Sequence, residues 1–138
     1  MVVELLQEKD KHAVCSLLRQ CFPNVKLQEA FDFKKIDFTH NIVIVAKIEN
    51  NIVGHIWIQK QYDFYKDEYY FYLMYICVDE NYRHQGVATS MLKWVETLKE
   101  QQHIAYITFT SSQKKVAAQA LYRKLGYIEK DSSVFIKM

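Results

Sequence analysis

Residues 76–88 read Ile-Cys-Val-Asp-Glu-Asn-Tyr-Arg-His-Gln-Gly-Val-Ala, and this stretch says most about the fold. An apolar run ends at Val78, a polar turn follows, and apolar residues at helical spacing begin after Gly86. The first N–H groups of a helix have no internal partner, and the positive end of the helix dipole lies behind them. The turn therefore predicts an anion site suited to a phosphate or pyrophosphate. An ordinary loop-to-helix junction begun by a glycine is the alternative interpretation.

The hydrophobic pattern around this stretch predicts a layered α/β protein with a mixed sheet. We expect a tight turn at Asn50-Asn51 and a left-handed helix cap at Gly126. A short helix and a loop are expected over 26–40. The other predicted helices are 10–21, 86–102 and 114–125, and the predicted strands are 3–6, 42–46, 52–61, 69–78, 104–110 and 134–138.

Composition excludes several classes of protein. The 138 residues predict a single domain, 1–138, and three glycines with one proline exclude collagen-like and linker-like chains. The net charge of +2 suggests neither a nucleic-acid nor a membrane partner. Cys15, Cys21 and Cys77 lack metal-binding spacing, which predicts free thiols in a reducing cytosol and no metal. Charges near the N-terminus argue against a signal peptide, so a cytoplasmic location is expected.

Two motifs resemble the GNAT superfamily of acyl-CoA-dependent N-acetyltransferases. Arg83-x-x-Gly86-x-Ala88 is similar to its Gln/Arg-x-x-Gly-x-Gly/Ala signature, whereas the phosphate loops of nucleotide triphosphatases and dinucleotide-binding folds are absent. The segment Ala118-x-x-Leu121-Tyr122-x-Lys124-x-Gly126-Tyr127 resembles the family's later Leu-Tyr-x-Lys-x-Gly-Phe/Tyr motif. The resemblance implies a mixed, mostly antiparallel sheet of six to seven strands with splayed fourth and fifth strands, flanked by about four helices.

The resemblance also implies that acetyl-CoA lies between the splayed strands. Backbone groups of Ile76, Cys77 and Val78 would bind the pantetheine arm, and Arg83 would contribute charge, unless its side chain serves the structure instead. Thr89 and Ser90 could add hydroxyl donors. The pyrophosphate would be held by the N–H groups of His84, Gln85, Gly86, Val87, Ala88, Thr89 and Ser90.

The implied mechanism is direct attack of an amine on the thioester. The Val78 N–H would stabilise the oxyanion, and Tyr122 would protonate the leaving thiolate as general acid, unless it only packs its helix on the sheet. The general base stays open, because Tyr72 and Met74 hold the positions where several members carry Glu or His. The remaining candidates are Glu68, Asp63, Glu80, His55, Tyr72 and a water chain.

The amine acceptor is expected to contact residues 22–40 and 62–70. Aromatic rings and three carboxylates in 62–70 suit a cationic amine, but they fit the interface of a homodimer as well. Lys115 replaces an Asn that contacts pantetheine in many members, and we expect it to face water rather than a CoA phosphate. A non-catalytic acyl-CoA-binding or regulatory module is the second functional hypothesis. A nucleic-acid-binding aromatic sheet is a third, although the chain has no basic stripe.

Overall fold

The fold rests on one sheet whose strands lie side by side in sequence order. A computed structural model describes all residues, 1–138. Short 3-10 turns cover Glu8–Asp10, Phe33–Lys35 and Glu80–Tyr82. The strands are β1 (Val2–Leu5), β2 (Asn41–Ile48), β3 (Asn51–Asp63), β4 (Glu68–Val78) and β5 (Ile107–Thr108), and the α-helices are α1 (Lys11–Cys21), α2 (Val87–Gln101) and α3 (Val116–Lys124). No helix is both long and apolar enough to span a membrane.

The sheet is mixed and mostly antiparallel, as the sequence predicts. Strands β1 to β4 pair antiparallel, and β4 pairs parallel with β5. The expected numbers of elements are too high, however, because the chain has five strands and three α-helices rather than six to seven strands and about four helices.

The difference arises in the C-terminal part of the chain. The strand predicted at 104–110 is shortened to β5, and no strand forms over 134–138. A strand needs a neighbour that satisfies its backbone groups, and two-residue β5 offers little edge for pairing. Phe135 and Ile136 are consequently exposed. A cavity of about 610 Å³ lies between β5, α3 and residues 128–134.

The turn between β2 and β3 shows how local chemistry fixes the register. Its two central residues are Glu49 and Asn50, with φ angles of 51° and 65°. Two successive positive φ values are typical of a type I′ turn, whose twist matches that of antiparallel strands. The turn therefore lies one residue before the predicted Asn50-Asn51.

Core packing fixes α2 against the sheet beside the Val78 end of β4. Fully buried Ile56, Phe71 and Met91 belong to the cluster between the sheet and α2. A Cβ atom on Gly54 would lie 2.8 Å from the Met91 Cε atom, so the glycine permits a close approach of helix and strand. Gly54 pairs with Val78, and this packing therefore fixes α2 beside the end of β4.

Candidate active site

The last six residues of β4 have an open edge. β5 pairs only with Phe71 and Tyr72, so Leu73–Val78 have no partner strand on that side. The Asp79 N–H donates to the Val53 carbonyl oxygen at 2.7 Å, on the β3 side. Successive N–H groups of an extended strand point to opposite edges, which directs the Val78 N–H to the open side. An extended guest can add here as a further strand.

A β-bulge interrupts β4 within this edge. The register with β3 shifts between His55, which pairs with Cys77, and Trp57, which pairs with Met74. Tyr75 within the bulge has a φ of 51°. A bulge bends the strand and re-aims the groups that follow it. The direction of the Val78 N–H and carbonyl groups therefore depends on the hydrogen bonds that hold the bulge.

His55 holds the bulge from the neighbouring strand. Its Nδ1 lies 2.8 Å from the Tyr75 carbonyl oxygen. A carbonyl oxygen can only accept, so Nδ1 carries the proton and donates. Burial lowers the pKa of His55 to about 4, which keeps the ring neutral near pH 7. As a candidate base, His55 is thus buried, weakly basic and engaged in a structural hydrogen bond.

The N-terminus of α2 is uncapped. Its N-cap residue is Gly86, which has no side chain to accept from the helix amides, and the first turn has no acidic residue. The Ser90 N–H donates to the Gly86 carbonyl oxygen at 3.0 Å, which begins the helical ladder and leaves the preceding N–H groups free. Gly86 has a φ of 78°, and a Cβ atom there would meet nothing within 4 Å. Free amides bordering open space are what a phosphate requires.

The signature residues around this turn lie together at the surface. Residues 83–86 are exposed, and His84 also has a positive φ, 63°. Val87 is buried in the core, whereas Ala88, Thr89 and Ser90 are half-buried on the first turn of α2. The turn therefore presents backbone from 83–86 and the first helical amides to the same open space.

Two thiols lie between α1 and the end of β4. The Cys21 thiol donates to the Val78 carbonyl oxygen at 3.6 Å. A hydrogen bond between the thiols, together with burial, raises the pKa of Cys77, and the same bond lowers the pKa of Cys21. The positive charges of Arg83 and Lys115 oppose the rise of the Cys77 pKa and add to the fall of the Cys21 pKa, whereas the Asp79 carboxylate opposes that fall. The end of β4 therefore carries charges of both signs.

Tyr122 lies on α3 beside this cluster. Its ring packs edge-to-face on Phe109, with centroids 4.8 Å apart. Burial raises the pKa of the Tyr122 phenol, and the nearby Cys77 sulfur acts in the same direction, so the phenol stays protonated. The predicted cap at Gly126 forms as a Schellman motif: the Tyr127 N–H donates to the Tyr122 carbonyl oxygen, and the Gly126 N–H to that of Arg123.

The carboxylate candidates for the base are not gathered around Val78. Glu68 pairs with Asp63 at the other end of β4, roughly 30 Å away by strand rise. Glu80 is exposed in the 3-10 turn that follows β4. Tyr72 lies where β4 and β5 part. Glu68 and Asp63 are therefore far from the bulge, whereas Glu80 lies two residues beyond Val78 with its side chain exposed.

The aromatic segment 62–70 is likewise remote from Val78. It forms the tip between β3 and β4, and Tyr65 is 89% exposed. Lys60 already places its ammonium 4.8 Å from the Tyr69 ring centroid, and Lys66 lies over Tyr106. The other expected acceptor segment, 22–40, does reach the bulge through Phe22.

Sequence reasoning missed a small aromatic and cationic cluster at the bulge. Phe22 packs edge-to-face on Tyr75 at 5.2 Å between ring centroids, and Tyr75 stacks on Trp57 at 6.4 Å. The Lys115 Nζ atom lies 4.7 Å from the Phe22 ring centroid. Lys115 is exposed, as expected, and its ammonium also contacts a ring at the site. The departure from the family motif at this position was the available signal.

One family model covers most of the chain. The family model described as the acetyltransferase (GNAT) family matches residues 11–127. No curated protein matches the chain in sequence.

Solved structures share the fold at low identity. Ribosomal-protein-alanine N-acetyltransferase from Brucella melitensis biovar Abortus 2308 has a TM-score of 0.84 and 15% identity over 100% of both chains. Glucosamine-6-phosphate N-acetyltransferase from Arabidopsis thaliana has a TM-score of 0.83 and 14% identity, covering 99% of this chain and 97% of that one. A transcriptional regulator from Bacillus halodurans C-125 has a TM-score of 0.81 and 19% identity, with coverage of 99% and 97%. On the family match, the chain belongs to the GNAT family of acetyltransferases.

Proposed function

We propose that this protein transfers the acetyl group of acetyl-CoA to a primary amine by direct attack in a ternary complex. The observation that carries the proposal is the open edge of β4 at Leu73–Val78, adjacent to the uncapped N-terminus of α2. An extended pantetheine arm needs backbone partners and a pyrophosphate needs free amides, and these two features supply both.

The residues fit acetyl-CoA as a co-substrate. The pantetheine arm would run along Ile76, Cys77 and Val78. These residues have no partner strand on this side, because β5 ends before it reaches them. The pyrophosphate would lie on the amides of 84–90, where Gly86 leaves the space open. Arg83 supports an anion there, since its charge already acts on the thiols beside Val78.

The chemical step assigns one role to each group near the thioester. The neutral amine attacks the carbonyl carbon, and the Val78 N–H donates to the developing oxyanion. The C–S bond then breaks, and Tyr122 gives its proton to the CoA thiolate. The raised pKa of Tyr122 supports this role because the phenol is protonated at neutral pH and a CoA thiol is the stronger acid.

Deprotonation of the amine is assigned to a water chain. Glu68 and Asp63 lie at the far end of β4, and the low pKa of His55 makes that ring a poor base near pH 7. His55 acts instead as a positioning residue, since its hydrogen bond fixes the bulge before Val78.

Thiol release from acetyl-CoA across a panel of primary amines tests the proposal. The panel should include small polyamines, amino sugars and peptides with free N-termini. We expect saturable release with at least one class, and stabilisation of the fold by acetyl-CoA without an acceptor. Absence of stabilisation at millimolar acetyl-CoA would contradict both the co-substrate and the activity.

A non-catalytic acyl-CoA-binding or regulatory module is the second candidate. It is favoured by the absence of a carboxylate at Tyr72, and a transcriptional regulator is among the structures of similar fold. The two functions differ in one result: a binding module is stabilised by acetyl-CoA but releases no thiol with any amine in the panel.

A further inference from the structure

Lys115 carries a primary amine of the chain itself to the end of β4. It is the N-cap residue of α3, and its Nζ atom lies 4.7 Å from the Phe22 ring centroid. None of the five ion pairs in the structure involves Lys115, so no carboxylate neutralises the ammonium. A cation at a helix N-terminus is opposed by the dipole, and the first turn of α3 has no acidic residue to offset it.

The surroundings of this amine belong to the candidate active site. Phe22, under the ammonium, packs on Tyr75 of the bulge. Cys21, the residue before Phe22, donates its thiol to the Val78 carbonyl oxygen. Lys115 is also close enough for its charge to act on Cys77, which in turn neighbours Tyr122. The amine is therefore linked to the bulge through Phe22 and to Val78 through the neighbouring Cys21.

Lys114 provides a natural comparison within the same loop. It is an exposed lysine too, but its only recorded hydrogen bond joins its backbone N–H to the Ser112 hydroxyl. Its side chain takes part in none of the cation–π contacts and none of the ion pairs. Two adjacent lysines of equal chemistry thus differ in whether the amine is held at the end of β4.

We propose that Lys115 is an acetylation site of this protein, modified by its own active site when no external amine is bound. This inference rests on the proposed function. The neutral Lys115 amine attacks the thioester carbonyl of bound acetyl-CoA, and a C–N bond forms while the C–S bond breaks. CoA leaves as the thiolate and takes the Tyr122 proton, and the proton lost by the amine returns to the phenolate through water. The products are Nε-acetyl-Lys115 and CoA thiol.

Two consequences follow because the Lys115 amine belongs to the same chain that binds acetyl-CoA. The amine and the thioester belong to one complex, so the reaction is first order in protein and gains from proximity. Acetylation removes the positive charge, and with it the attraction to the Phe22 ring. One acetyl group per chain is therefore expected, after which the site has lost its internal acceptor.

The test is incubation of the intact protein with acetyl-CoA in the absence of any amine, followed by intact mass and peptide mapping. We expect a gain of one acetyl group at Lys115, at least about ten-fold faster than at Lys114. The fractional rate should not change with protein concentration. Lys115→Arg should abolish the gain, Lys114→Arg should leave it unchanged, and Tyr122→Phe should slow it.

Other outcomes overturn the inference in distinguishable ways. Acetylation spread evenly over exposed lysines, or equal in the Lys115→Arg variant, is ordinary chemical acetylation and contradicts it. Stabilisation by acetyl-CoA and turnover of an external amine without any product at Lys115 contradicts this inference alone. Failure of acetyl-CoA to stabilise the protein contradicts the proposed function and this inference together.

Discussion

At one end of β4, Phe71 and Tyr72 pair with strands on both sides, and at the other end Leu73–Val78 pair with a strand on one side only. Both ends carry aromatic rings and nearby charges. At the Glu68 end the rings and lysines contact one another, as Lys60 does with Tyr69. At the Val78 end a bulge, free helix amides and unpaired cations adjoin an open edge. Unsatisfied backbone, more than side-chain composition, therefore distinguishes the candidate site.

The largest expected effect is a loss of folding stability at acidic pH, caused by protonation of His55, which holds the bulge. The folded pKa of His55, about 4, is below its unfolded value of 6.5, so the unfolded chain binds more protons between these pH values. The contribution of neutral His55 is present above pH 6.5 and is lost as the pH falls toward 4. It amounts to at most roughly 3 kcal/mol. Urea unfolding at several pH values measures it.

Two variants separate His55 from general acid unfolding. His55→Gln should flatten the stability profile between pH 4 and 6.5, whereas His103→Gln, which changes an exposed histidine, should leave it steep. Equal slopes in the wild type and His55→Gln would show that His55 does not cause the loss of stability in this pH range. Acetyl-CoA affinity should fall in His55→Gln, since the bulge aims Val78.

The next effect concerns proton delivery at the Val78 end. Tyr122→Phe should lower kcat about 100-fold with little change in acetyl-CoA affinity, because a general acid acts in the transition state. Tyr127→Phe is the matched control in the same aromatic cluster, since its hydroxyl donates to Glu96 instead. Steady-state thiol release measures both. Equal rates for Tyr122→Phe and wild type would remove the acid assignment.

A smaller effect is expected when valine replaces Gly86 or Gly126, and it distinguishes loss of acetyl-CoA binding from backbone strain. Gly86 and Gly126 both have positive φ and open space where a Cβ would lie. A valine at either position should cost about 1–2 kcal/mol of stability. Only Gly86→Val should also weaken acetyl-CoA binding, by about ten-fold, because its side chain enters the proposed phosphate site. Calorimetric titration measures the affinities, and equal affinities for the two variants would place the pyrophosphate elsewhere.

These contrasts also show how far the sequence could be interpreted. The positions of Gly86 at the start of α2 and of Tyr122 near the end of α3 could be predicted, because each belongs to a short motif whose local geometry follows from a helix end. The bulge at Tyr75 could not be predicted, since it depends on how β4 is aligned with β3. The missing strand at 134–138 has a similar origin, because strand formation needs a partner as well as apolar residues. Contact between Lys115 and Phe22 joins distant segments and leaves no local pattern.

The smallest expected effect is at the Glu68 end. Glu68→Gln should change kcat less than about two-fold, because the carboxyl lies roughly 30 Å along the strand from Val78. The pH profile of kcat should also be unchanged. A large loss of kcat with a shifted profile would instead identify Glu68 as a base and would require the acceptor to approach from the aromatic tip.

Backbone amide exchange with and without acetyl-CoA tests the central claim most directly, because it maps the binding edge residue by residue. Saturating acetyl-CoA should slow exchange at Ile76, Val78 and the amides of 84–90. Exchange at residues 62–70 should be unaffected by the same ligand. Protection confined to the aromatic tip, or no saturable protection anywhere, would contradict the assignment of the site to the Val78 end of β4.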